Sequence, residues 1–138
     1  MEKEGRVLAQ EKDMKKILTC ILAMLGLTSA CGHHQYEDAD VERFAALLSS
    51  PDVVLLDVRT IDEYNEGHIM GALQVDIRQD DFMPKAQKLL PKDKTIAVYC
   101  RSGRRSAQAC EQLESDGYKV VNLKGGILAW KKAQKPVE

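Results

Sequence analysis

Between Asp40 and Lys132 the sequence alternates two kinds of segment, and this alternation restricts the fold more than any other property of the chain. Val53-Val54-Leu55-Leu56 and Thr95-Ile96-Ala97-Val98-Tyr99 are short, unbroken apolar runs, the pattern of strands covered on both faces. Residues 73–77 and 120–123 are expected as two further strands. The segments between them carry helical periodicity. Asp40 is placed to cap a helix that presents Val41, Phe44, Ala45, Leu47 and Leu48, ended by Ser49-Ser50-Pro51-Asp52. A turn and short helix lead through Gly67 and His68, and a polar, mostly helical stretch spans 80–90. Residues 106–116 read as a helix with Ala109, Cys110 and Leu113 on one face and Gly117 as its C-terminal cap. Residues 127–132 give a last helix. Such alternation within one small chain predicts an α/β domain, a parallel sheet with helices on both faces. In sheets of that kind the ligand sits at the carboxyl ends of the strands.

The chain has 138 residues, room for one domain and little more. Its first thirty are of another character. Ile17 to Leu27 (ILTCILAMLGL) carries no charge and follows Lys15-Lys16 directly. A helix of that length spans roughly 16 Å, about half a bilayer's hydrocarbon core, so a membrane-spanning anchor is not expected. A basic start, a short apolar run and the small residues Thr28, Ser29 and Ala30 make a secretory signal peptide. Met14-Lys15-Lys16 is a typical signal-peptide start, so residues 1–30 are read as an N-terminal extension plus signal peptide. Leu27-Thr28-Ser29-Ala30-Cys31 resembles the lipobox of bacterial lipoproteins, in which the Cys becomes lipidated after cleavage. The expectation is an exported protein of the periplasm or cell envelope, lipid-anchored on Cys31. Residues 31–37 are polar and read as a tether. His33 and His34 within it lack a neighbouring Cys or carboxylate pattern, so no metal site is expected.

Lys and Arg number 20 against 21 Asp and Glu, a net charge of −1, which gives no sequence-wide reason to expect nucleic acid as a partner. An anion must be held by a local cluster, and one is present. The strand at 95–99 runs directly into Cys100-Arg101-Ser102-Gly103-Arg104-Arg105, and a helix is expected from about Ser106. A thiol is thereby placed at the carboxyl end of a strand, facing a helix N-terminus. Backbone N–H groups of such a turn and the helix dipole make a concave anion site, and three arginines add full charges. Gly103 lets the chain turn where a side chain would block it. These surroundings favour a nucleophilic sulfur. Cys110, on the apolar face of the following helix, is expected to be packing.

Cys100 to Ser106 resembles the active-site loop of rhodanese-type sulfurtransferases. Two further stretches agree. Leu56-Asp57-Val58-Arg59 with Glu63-Tyr64, Gly67-His68-Ile69 and Gly71-Ala72 looks like that family's N-terminal signature. Gly117-Tyr118, Val120-Val121, Leu123, Gly125-Gly126-Ile127 and Trp130 look like its C-terminal one. The resemblance implies a single domain over 38–134 with a five-stranded parallel sheet. It also implies a reaction: Cys100 attacks the sulfane sulfur of thiosulfate or a similar anionic donor, sulfite leaves, and a thiol or cyanide takes the sulfur from the Cys100 persulfide. No cofactor is called for, and the working unit is expected to be a monomer. Arg101, Ser102, Gly103, Arg104, Arg105 and Ser106 form the implied substrate cradle, with Arg104 or Arg105 the main anion contact. Asp57, Arg59, Glu63 and His68 are read as mainly structural.

A Cys-dependent phosphatase or arsenate reductase uses a related cradle, recognised by Cys, five residues and Arg. Here the residue after Arg101 to Arg105 is Ser106, so the loop ends one position early for that chemistry. A persulfide relay that docks a partner protein would use the same Cys100.

Overall fold

The computed structural model describes residues 35–138; the stretch read as a signal peptide, Cys31, His33 and His34 lie outside them. Five strands form one sheet: β1 (Glu37–Ala39), β2 (Val53–Asp57), β3 (Leu73–Gln74), β4 (Thr95–Tyr99) and β5 (Lys119–Leu123). They lie in the order β1-β5-β4-β2-β3, every neighbouring pair parallel. Among the described residues four helices connect them, α1 (Val41–Leu48), α2 (Ile61–Glu66), α3 (Phe82–Leu89) and α4 (Arg104–Ser115), and a fifth, α5 (Gly126–Lys132), follows β5. The α/β architecture and the five-stranded parallel sheet are those expected.

Central β4 explains why its sequence is apolar throughout. Ile96 and Val98 enter one core layer with Cys100, Leu56, Val58 and Val120, covered by Phe82 and Ala86 of α3 and Ala109, Cys110 and Leu113 of α4. Ala97 and Tyr99 face the opposite layer, where α1 and α5 contribute Phe44, Ile127 and Trp130. The edge of Trp130 meets the ring of Phe44 at 6.3 Å and 82°. Complete burial of Phe44 contributes about 2–3 kcal/mol. A sheet sandwiched this way leaves the ends of its central strands open, and the carboxyl end of β4 is where Cys100 begins.

Local signals act as the sequence indicates. The Asp40 carboxylate accepts from the Arg43 N–H at 2.8 Å and caps α1. Gly117 follows α4 with φ +90°, and the Tyr118 N–H returns to the Leu113 carbonyl.

Three boundaries differ from expectation. Glu37–Ala39 pairs with β5 as a strand, so β1 begins inside the stretch read as a tether. It is an edge strand whose first two residues are exposed, and no apolar run marks it. Instead of spanning 73–77, β3 holds only two residues; beyond Gln74 the chain leaves the ladder while Val75 N–H still reaches the Asp57 carbonyl and Ile77 N–H that of Val58. Helix α4 starts at Arg104, two residues before the expected position. At the amino end of the sheet, the Gln35 N–H donates to the Glu114 carboxylate near the last turn of α4.

Candidate active site

Three elements build the site. Strand β4 delivers Cys100, α4 begins just beyond it, and the start of α5 clamps the loop from the side. Gly103, at φ +98°, is the N-cap of α4 and supplies no side chain to its first turn, leaving those N–H groups directed at the loop mouth. The Ile127 N–H donates to the Cys100 carbonyl at 2.9 Å and the Leu128 N–H to the Arg101 carbonyl at 3.2 Å. This approach is so close that Gly126, at φ +61°, admits no side chain: a Cβ there would lie 2.7 Å from the Cys100 carbonyl oxygen and nearer still to Arg101. Together these contacts fix the loop backbone around the thiol.

The Cys100 side chain is buried and receives two donors. The Gly103 N–H lies 3.0 Å from its Sγ, and the Ser106 hydroxyl, itself buried, lies 3.3 Å away. Hydrogen bonds of this kind stabilise negative charge on the sulfur. Of the cradle residues predicted from sequence, Gly103 and Ser106 therefore meet at the sulfur, while Arg101, Ser102 and Arg104 stand exposed at the mouth.

Arg105 is engaged differently. Its guanidinium forms two bonds of 2.8 Å to the Glu63 carboxylate. Glu63 also completes the capping box of α2, with Thr60 as N-cap. The hydrogen bonds from Arg105 hold the Glu63 carboxyl down at about 2, well below the usual carboxylate range. The charge of Arg105 acts on Cys100 and Asp76 too, but one carboxylate already balances it. The sequence placed Glu63 in a family signature and read it as mainly structural; nothing there pointed to the Thr60 cap or to Arg105 as its partners.

Beneath the mouth lies a buried charged turn. Asp57 is fully enclosed, and Arg59 meets it at 2.6 Å with a further bond to the Gly67 carbonyl at 2.8 Å. The guanidinium also stacks over Tyr99, whose hydroxyl accepts from the Ile69 N–H. His68 stacks on Tyr64 at 3.8 Å and bonds the Tyr64 carbonyl. Among the described residues none of these side chains hydrogen-bonds the Cys100 sulfur, whose donors are Gly103 and Ser106. Cys110 is buried in the core layer behind α4, where burial pushes its thiol up.

Comparison with known proteins places this geometry. The model of the Rhodanese-like domain matches residues 40–133, from the α1 cap to the end of α5. A sulfurtransferase of Allochromatium vinosum is 42% identical over 92 residues, covering 66% of this chain and 83% of that protein. A thiosulfate sulfurtransferase of Tolumonas auensis is 31% identical over 98 residues, covering 70% and 90%. The rhodanese-like domain of an Anabaena protein superposes with a TM-score of 0.67 at 36% identity, covering 75% of this chain and 80% of that one. The family match and these relatives cover most of the described domain, and the chain belongs to the rhodanese-like domain family.

Proposed function

We propose that the domain is a sulfurtransferase working through a persulfide on Cys100, with thiosulfate or a similar anionic sulfane donor and a thiol or cyanide acceptor. The observation that carries this reading is the Cys100 sulfur, held at the mouth of a helix N-terminus with Gly103 and Ser106 donating to it. In the first half-reaction the Cys100 thiolate attacks the outer sulfur of the donor. The S–S bond of thiosulfate breaks, and its electron pair leaves with sulfite. In the second, the acceptor attacks the transferred sulfur and the pair returns to the Cys100 sulfur. The α4 N–H groups, Arg101 and Arg104 supply the cradle for the donor's sulfonate, and Arg105 contributes a fixed charge behind it.

Intact-mass measurement after thiosulfate treatment tests the reading. The wild type gains about one sulfur mass, Cys100→Ser gains none, and Cys110→Ser still gains it. Sulfur on Cys110, or aryl-phosphatase turnover comparable with thiosulfate:cyanide turnover, overturns it. In keeping with the signal-peptide pattern, the working form is proposed to be an exported monomer lipid-anchored on Cys31, in the periplasm or cell envelope; radiolabelled palmitate on the wild type and none on Cys31→Ser checks that part.

A further inference from the structure

The persulfide must be handed on, and the Cys100 sulfur is buried, so the acceptor has to come to the loop. What it meets there is a strip of one character. Arg101 and Arg104 are exposed on the loop itself. Lys124, also exposed, immediately precedes the Gly125–Gly126 turn, whose backbone packs on Gly103. Leu128, 48% exposed, is held against the Arg101 carbonyl by its own N–H. Lys131 and Lys132, three and four residues further along α5, share the exposed face of Leu128. Among the described residues none of these five cations forms an ion pair, and while Arg78, Lys88, Lys94 and Lys119 are also unpaired, only these five gather around the loop and Leu128; Arg43, Arg59, Lys85, Lys92, Arg105 and Lys135 each have a carboxylate partner. Asp40 stands beside the Ala39 carbonyl that accepts from the Lys124 N–H. Its carboxylate is already committed to capping α1.

We infer that this strip, from Arg101 and Arg104 across Leu128 to Lys132, is the docking surface for a sulfur-acceptor protein whose thiol is flanked by acidic residues. The inference rests on the persulfide reading above and names its acceptor. Charge complementarity selects the partner: a run of uncompensated cations around one exposed aliphatic side chain suits a carboxylate-rimmed apolar contact. Nucleic acid fits less well. The net charge of the chain is −1, and among the described residues no aromatic side chain is one of the exposed large hydrophobics on which bases could stack. The step is a thiol-to-thiol sulfur transfer with no net oxidation. The acceptor thiol releases its proton to water, and its thiolate attacks the outer sulfur of Cys100–S–SH. A new S–S bond forms, the Cys100 bond to that sulfur breaks, and the electron pair leaves on the Cys100 sulfur.

The test uses wild-type protein loaded with thiosulfate and freed of excess donor. Sulfur transfer is followed to three probes: a cysteine peptide carrying four glutamates, its four-lysine counterpart, and free cysteine. The acidic peptide is expected to be the better acceptor, by about tenfold in kcat/KM over the basic one at low salt, the gap closing near 0.5 M salt. Lys124→Glu with Lys132→Glu reduces that advantage about fivefold and leaves thiosulfate:cyanide turnover unchanged. Equal rates with both peptides on a fully loaded enzyme overturn the docking surface while leaving the persulfide reading intact. So does inhibition by a single-stranded oligonucleotide without discrimination between the peptides. Failure to load Cys100 at all overturns the persulfide reading, and the inference with it.

Discussion

Glu63 and Arg105, forty-two residues apart, face each other through two bonds of 2.8 Å and join the first turn of α2 to the first turn of α4. The pair determines where a cradle arginine points. Replacing Glu63 by Gln removes the balancing charge and one of the two strong bonds, which is expected to destabilise the domain by about 1–3 kcal/mol near neutral pH. The direction with pH follows from the depressed carboxyl. A group held below its unfolded value adds stability above that value and loses it as pH falls. The difference between wild type and Glu63→Gln is therefore full above about pH 4.5 and shrinks as pH falls toward 2. Urea titrations of both proteins between pH 7 and pH 3 check it; a difference that grows on acidification contradicts the assignment.

Arg104 has no such partner and stands at the loop mouth. Arg104→Ala is expected to raise the KM for thiosulfate about tenfold, the loss of one charge-assisted contact of about 1.4 kcal/mol, with a smaller change in kcat. Arg105→Ala also raises KM and additionally lowers stability, because it strands the Glu63 carboxylate. Steady-state kinetics together with denaturant midpoints separate the two effects. Unchanged KM in both variants argues against the cradle.

Gly126 is the point at which α5 touches the catalytic loop. An added methyl group would press on the Cys100 and Arg101 carbonyls, and the positive φ adds backbone strain. Gly126→Ala is expected to cost at least about 2 kcal/mol of stability, since backbone cannot move aside as a flexible side chain can. It should also slow persulfide formation by shifting the loop. A variant with wild-type midpoint and wild-type loading rate would show that the clamp is dispensable.

The elements legible in the sequence are those whose signal is local. Strands β2 and β4 stand out because burial on both faces forces an unbroken apolar run, and Asp40 and Gly117 mark helix ends because their chemistry acts within a few residues. What escaped is non-local or runs against local preference. Strand β1 has three residues, two of them exposed and acidic, and exists only because β5 offers an edge. The start of α4 is hidden because its first turn carries Arg104 and Arg105, cations where the helix dipole favours anions, and its cap is a glycine without a side chain. In the site, the family resemblance implied one cradle from Arg101 to Ser106, without saying that Gly103 and Ser106 are the two that donate to the Cys100 sulfur. That Arg105 turns toward Glu63, leaving Arg101 and Arg104 for the mouth, depends on a contact between distant segments.

Gln35 enters the domain beside Glu114, ten residues along α4 from Arg104 and thus about 15 Å from the loop end of that helix. All five strands run parallel, so the entry point of β1 and the mouth at Cys100 lie at opposite poles of the sheet. A hold placed ahead of Gln35, whether an acyl chain in a membrane or a fusion on a chip, grips the domain by its base. The point of attachment is thereby the pole opposite the reactive loop.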